Sequence, residues 1–473
     1  MFDNSYARLP DRMFAAVQPA KVPAPRLLAW NEELAKQLGL SEIARSDDER
    51  AQLFGGNQTP DGAKPIALAY AGHQFGHFVP QLGDGRAILL GEVIGADGKR
   101  RDIQLKGSGQ TPFSRRGDGK SSLGPVIREY LLSEAMHRLG IPTTRALAAV
   151  ATGETVYRES GVPGGVLTRV AASHMRVGTF EYFAARGDKE ALKTLADYAM
   201  DRHYPEARNA DQPISAFFAG VVENQARLIA QWMSVGFIHG VMNTDNCAIS
   251  GETLDYGPCA FMDEFDYDKV FSSIDGQGRY AFSRQPATAQ WNLARLAECL
   301  MELDEPRESL IEGLNRFQGV FEQAYYSRMA NKLGIGQPKE SDHELINEWL
   351  QWLQDQGLDF TLSFRGLANR LSAGVPEGET EFGDFETRWH QRLVESAEPL
   401  ERIRERMNAI NPLYIPRNHQ VERAIQAAFA GDYSVFQAMH RVLAEPYTEQ
   451  AGCADYAQPP QQHERVEMTF CGT

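Results

Sequence analysis

One 21-residue stretch, Phe237–Gly257 (FIHGVMNTDNCAISGETLDYG), constrains the chain more than any other. It carries three oxygen-bearing side chains suited to a hard divalent cation, Asp245, Asn246 and Asp255. Such cations take a few protein oxygens and leave the rest of the shell to water or phosphate. Asn246 follows His239 by seven positions, and Asp255-Tyr256-Gly257 follows Asn246 by nine. Two positions after His239 stands Val241, whose side chain cannot accept a proton.

A His, a proton acceptor two residues on, an Asn five further and then D-x-G is the order of the catalytic and metal loops of protein kinases. This chain keeps the metal-holding positions of that order and lacks the base. The segment therefore predicts a nucleotide cleft whose chemistry differs from transfer of a terminal phosphoryl group.

The elements before it suit such a cleft. Ala87–Gly95 and Arg101–Lys106 read as a hairpin turned at Asp97-Gly98. In its second arm Ile103 and Leu105 face one way, and Gln104 and Lys106 the other. Lys106 thus ends a strand on its polar side, next to Gly107-Ser108-Gly109. Pro125–Leu139 reads as a helix, with proline at its start and Gly140 past its end. On it Glu129 lies in an otherwise apolar row with Val126, Leu132 and Met136, so it needs a cationic partner, and Lys106 is the candidate. Strands are expected at Ala146–Ala151 and Val166–Val170, around the turn Gly161–Gly165, with Arg169 and Arg176 at the exit of the second. From about residue 180 the pattern is helical, including Asp188–Met200, Ile214–Ser234, Ala287–Glu302, Glu308–Leu333 and Thr387–Met407.

The expected fold class is α+β. It is a protein-kinase-like bilobal plan, with a small β-rich lobe holding one long helix and a large mainly helical lobe with a C-terminal extension. The expected divisions are an irregular arm at 1–60 around one short helix (Asn31–Leu38), the small lobe at 61–178, the helical lobe at 179–445, and a flexible tail at 446–473 that includes Cys471.

The 473 residues carry a formal net charge of −15, which argues against a general nucleic-acid partner. No apolar run reaches the roughly 18–20 residues of a membrane span. With no signal-like segment at the start, the expectation is a cytoplasmic protein without membrane attachment, working as a monomer. Five cysteines without a C-x-x-C pair do not predict a disulfide framework or a zinc site. His73 and His77, four apart, have no further ligand at zinc spacing and are read as packing or substrate contacts.

The strings YAGHQFGHFVPQLGDGRA, DIQLKGSGQTPFSRRGDGK, LTRVA, HGVMNTDN and NPLYIPRNH together resemble the selenoprotein O family, along nearly the whole chain. The resemblance implies a kinase fold that transfers AMP from ATP to Ser, Thr or Tyr hydroxyls of proteins, with ATP bound in a flipped orientation. It also implies Mg²⁺ or Mn²⁺, with UMP transfer in the presence of manganese for some bacterial members. Carried over by position, it implies a Lys106–Glu129 pair, Arg169 and Arg176 on the phosphates, and Gly83, Gly85, Arg86, Asp118 and Gly119 around the nucleotide. Asn246 and Asp255 would hold the metal and Asp245 would accept the proton. A regulatory disulfide is implied for the C-terminal residue of this type, here Cys471, but no partner cysteine stands out. Two alternatives stay open: a conventional kinase using Asp245 as a displaced base, and a silent ATP-binding pseudokinase scaffold.

Overall fold

The computed structural model describes residues 2–371, 382 and 384–470. Its strands are β1 (Phe14–Ala16), β2 (Arg26–Trp30), β3 (Ile66–Leu68), β4 (Gly72–Gln74), β5 (His77–Val79), β6 (Ala87–Ile94), β7 (Arg100–Lys106), β8 (Ser121–Ser122), β9 (Arg145–Tyr157), β10 (Gly161–Ala171), β11 (Phe237–Ile238) and β12 (Ala260–Phe261). Eight of them form one antiparallel sheet in the order β1-β3-β6-β7-β10-β9-β2, with β8 beside β10. β4 pairs with β5, and β11 with β12.

The hairpin read from the sequence is β6–β7, with Ala87 opposite Lys106. β10 lies on its other side with Arg169 opposite Gln104. Since side chains alternate along a strand, Gln104, Lys106 and Arg169 share one face of the sheet. Ile103 and Leu105 point to the other, where they are buried with Leu34 and Phe54 of the helices α1 (Glu32–Gln37) and α2 (Asp47–Phe54), and with Leu38 just past α1. The polar face is covered by α3 (Leu123–Arg138), which is buried along most of its length and carries Glu129.

Several expectations need correction. The N-terminal arm is not simply irregular, because β1 and β2 supply both edges of the large sheet. These strands are three and five residues long, too short to show period-two alternation. The turn expected at Gly161–Gly165 instead lies at 158–160, and the glycines run on as strand. The helix expected at Thr387–Met407 is two, Asp384–Val394 and Leu400–Ile410. Between them Ala397 takes φ +54° and Pro399, just ahead of the second helix, has no N–H to continue the first.

From Val177 onward the chain is helical apart from β11, β12 and their loops, so the described residues combine an antiparallel sheet with many helices. Late helices return to the sheet side: Tyr130 of α3 meets Phe436 edge-on at 5.5 Å, and Arg128 donates to Asn418 at 3.2 Å. Residues 446–470, whose Pro and Gln content suggested a flexible tail, lie against the body. Arg417 donates to the Ala457 carbonyl at 2.9 Å and Thr469 N–H to that of Phe271 at 2.7 Å. Cys471 lies outside the described residues. Among those residues Cys247, Cys259, Cys299 and Cys453 form no disulfide, and no helix is long and apolar enough to cross a membrane.

Glu252 offers a test of this packing away from the cleft. Its carboxylate accepts from Ala172 N–H at 2.9 Å and Ser250 Oγ at 3.0 Å, and burial pushes its pKa up to about 7. A raised carboxyl pKa favours the folded state at low pH and costs stability as pH rises through it. Glu252→Gln keeps both acceptor contacts without the charge. It is expected to melt about 1–3 °C above the parent at pH 8.5 and level with it at pH 5, as read by thermal denaturation.

Candidate active site

Three cations converge on two carboxylates at the end of the sheet. Lys106 Nζ lies 2.7 Å from Glu129 Oε2 and 3.1 Å from Asp255 Oδ1. Arg169 Nη2 lies 2.6 Å from Glu129 Oε1 and 2.6 Å from Asp255 Oδ1. Arg176 Nη1 reaches Asp255 Oδ2 at 3.1 Å and donates to the Asp245 carbonyl at 2.8 Å. Burial raises the Asp255 pKa, but Arg169, Lys106 and Arg176 outweigh it and hold the carboxyl well below its ordinary range. Glu129 is likewise lowered, by Arg169 and Lys106 against burial. A third carboxylate, Asp84, is raised by burial, and the nearest cation to its Oδ1 is Arg176 at 3.9 Å.

His239 explains why the two halves of Phe237–Gly257 lie together. Its Nε2 bonds the Leu254 carbonyl at 2.8 Å, immediately before Asp255, and its ring stacks on Trp232 at 5.3 Å. The β11–β12 pair, with Phe237 opposite Phe261, closes the same loop from the other side. Asp255 itself adopts φ +64°, rare for a residue with a Cβ and a strain typical of functional positions. Asn246 Nδ2 donates to the Val241 carbonyl at 2.9 Å, which leaves Oδ1 as its free end. Val241 lines the cleft, so no proton acceptor stands there. Asp245 does have one: Oδ2 accepts from Gln74 Nε2 at 3.1 Å, while Oδ1 is buried without a hydrogen-bond partner. Burial pushes the Asp245 pKa up to about 6.

The roof is built from glycines, though not as a plain phosphate cradle. Gly83 and Gly85 spend their N–H groups on the carbonyls of Tyr70 and Gly83. Their role is close approach: a Cβ at Gly83 would sit 2.3 Å from the Phe113 ring, and one at Gly85 2.9 Å from the Phe113 carbonyl. Gly119, at φ +68°, meets the Gly109 carbonyl in the same way. This folds loop 108–120 over the cleft, with Asp118 held by Arg158 Nη1 at 2.9 Å.

The cleft holds about 660 Å³, and all the nucleotide and metal candidates line it except Glu129, which stands behind Lys106. Sequence reasoning missed Asp84, Gln74 and Arg158, which also line it. Asp84 was legible in principle, as the charged residue between two glycines. Gln74 and Arg158 left no local signal, because each becomes relevant only through a distant partner. His73 Nδ1 pairs with Glu181, which also takes the Thr244 hydroxyl, next to Asp245.

The donor set fits a hard cation. The buried, unpartnered Oδ1 of Asp245, the Oδ1 of Asn246 and the Asp255 carboxylate are all oxygens. Among the described residues no three His, Cys, Asp or Glu side chains cluster as a ready-made metal site. A cation here would draw its other ligands from water and phosphate, the habit of Mg²⁺.

The family model "Protein adenylyltransferase SelO" matches residues 1–444. A protein nucleotidyltransferase YdiU of Agrobacterium fabrum (strain C58) is 55% identical over 484 residues, covering 100% of this chain and 99% of its own. Another of that name from Bradyrhizobium sp. (strain ORS 278) is 54% identical over 486 residues, with the same coverage. The chain that builds this cleft belongs to the SelO family of protein adenylyltransferases.

Proposed function

We propose that this chain transfers AMP from ATP to Ser, Thr or Tyr hydroxyls of proteins, from a kinase-like two-lobed fold in which the nucleotide lies reversed. The observation that carries it is the pairing of Val241 with Asp245. The position of a kinase base is apolar and lines the cleft, while a carboxylate oxygen four residues on is buried and unpartnered.

In this reading the β- and γ-phosphates occupy the deep end and take up the donors of Lys106, Arg169 and Arg176. Arginine supplies a rigid fork and lysine a compact charge. Asn246 and Asp255 would hold Mg²⁺ or Mn²⁺, which supplies charge stabilisation to the phosphates. The acceptor oxygen forms a bond to the α-phosphorus, the bond from that phosphorus to the bridging oxygen of pyrophosphate breaks, and Asp245 takes the hydroxyl proton. Glu129 keeps Lys106 and Arg169 aimed. The test uses ATP labelled at the α- or the γ-phosphate with full-length protein. Label on protein from the α position only is expected, and label from the γ position alone overturns the reading in favour of a kinase. Binding without any transfer would mark a silent scaffold.

The seat of Asp245 can be tested separately. A Cβ at Gly72 would lie 2.7 Å from Asp245 Oδ1 and 2.9 Å from its Cβ. Gly72→Ala is expected to displace the carboxylate and lower kcat by about 10–100-fold while the melting curve stays cooperative. An unchanged kcat would show that the position of Asp245 does not matter.

A further inference from the structure

Next to Tyr280, which bonds the cleft-lining Asn243, stands a guanidinium that the site described so far does not use. Arg279 is part-buried, and none of the described carboxylates forms an ion pair with it, although its Nε is buried without a hydrogen-bond partner. Its side chain rests on neutral surfaces, while the Asp275 carboxylate takes the backbone N–H groups of Arg279 and Tyr280 at 2.9 and 2.8 Å. The Arg279 Cζ lies 4.7 Å from the centre of the Trp291 ring, and a Cβ at Gly76 would lie 3.5 Å from it. Trp291 also carries Arg295 at 4.8 Å, which is paired with Glu298 at 2.8 Å, and takes the His73 ring edge-on at 5.3 Å.

This platform is tied directly to the catalytic loop. Tyr280, the next residue, donates its hydroxyl to Asn243 Oδ1 at 2.6 Å, and Phe75 N–H reaches both at 3.1 Å. Phe75 and Asn243 line the cleft, two residues from Asp245 in the case of Asn243. A fixed guanidinium stacked on an aromatic ring, with no side-chain ion pair to any described carboxylate, is a ready receptor for a carboxylate from outside. In a protein of net charge −15 such an opening is selective rather than generic.

We propose that Arg279, braced on Trp291, binds an acidic side chain of the protein substrate close in sequence to the hydroxyl that is modified. The proposal rests on the reading of the cleft as a protein AMP-transfer site and adds the class of acceptor: hydroxyl residues flanked by Asp or Glu. Arg279 selects the acceptor and takes no part in the bond changes at phosphorus.

Arrayed peptides, each with one Ser, Thr or Tyr and randomised flanks, are incubated with the full-length protein and α-labelled ATP. Label is expected to favour peptides with Asp or Glu near the acceptor by about tenfold over their Asn or Gln counterparts. Arg279→Leu should abolish that preference, Arg279→Lys should keep part of it, and Arg279→Glu should turn it towards Lys and Arg. In steady-state assays on one acidic peptide, Arg279→Leu should raise KM for peptide and leave KM for ATP alone. A wild-type protein indifferent to flanking charge, or a preference that survives both Arg279→Leu and Arg279→Glu, overturns the role of Arg279 alone. A change confined to KM for ATP would assign the guanidinium to the nucleotide instead and overturn it too. Label from ATP on no peptide and no protein strikes the reading of the cleft itself, and the acceptor preference falls with it.

Discussion

Asp255→Asn is expected to lower AMP transfer by about 10³-fold, equivalent to ~4 kcal/mol of transition-state stabilisation. The substitution keeps the shape of the side chain, which matters because Asp255 is contacted by Lys106, Arg169 and Arg176 at once. Removing its charge leaves Lys106 and Arg169 with Glu129, and Arg176 with Asp84 at 3.9 Å. Their pull on triphosphate should therefore hold or strengthen, so KM for ATP should not rise and the loss should fall on kcat. That split separates a metal-holding role from mere binding. Initial rates with α-labelled ATP and a melting curve on the same preparation check it. Parental turnover in a folded Asp255→Asn protein would place the chemistry elsewhere.

Asp245→Asn is the second large effect. As the proposed proton acceptor, Asp245 should contribute about 10²–10⁴ in rate. Asparagine can still accept from Gln74 through its carbonyl and still fits against Gly72, so the loop should stay in place. Binding of ATP, followed by calorimetry, should persist while transfer falls. A loss of less than about tenfold would mean that the hydroxyl proton leaves by another route.

The parts of the cleft that could be read in advance are those set by local periodicity or fixed spacing. Alternation along β7 put Lys106 on the polar face, and Glu129 in an apolar helix row demanded a cation; the two meet at 2.7 Å. The spacing from His239 through Asn246 to Asp255 predicted one assembled loop, and the bond from His239 to the Leu254 carbonyl is its physical basis. What stayed hidden depends on tertiary partners. β1 and β2 are strands only because β3 and β9 offer them edges. Gly83 and Gly85 look like phosphate-loop glycines, yet their N–H groups are taken by backbone carbonyls and their smallness serves Phe113. Gln74 enters only because the β4–β5 hairpin folds onto Asp245, 171 residues away in sequence.

The direction of the nucleotide is the point on which all of this turns, and a crystal structure of the full-length protein with Mg²⁺ and a non-hydrolysable ATP analogue reads it directly. The account predicts the β- and γ-phosphates against Lys106, Arg169 and Arg176, with the α-phosphorus nearest the Asp245 carboxylate. A γ-phosphate facing Asp245, with the base and ribose buried at the far end, would contradict it.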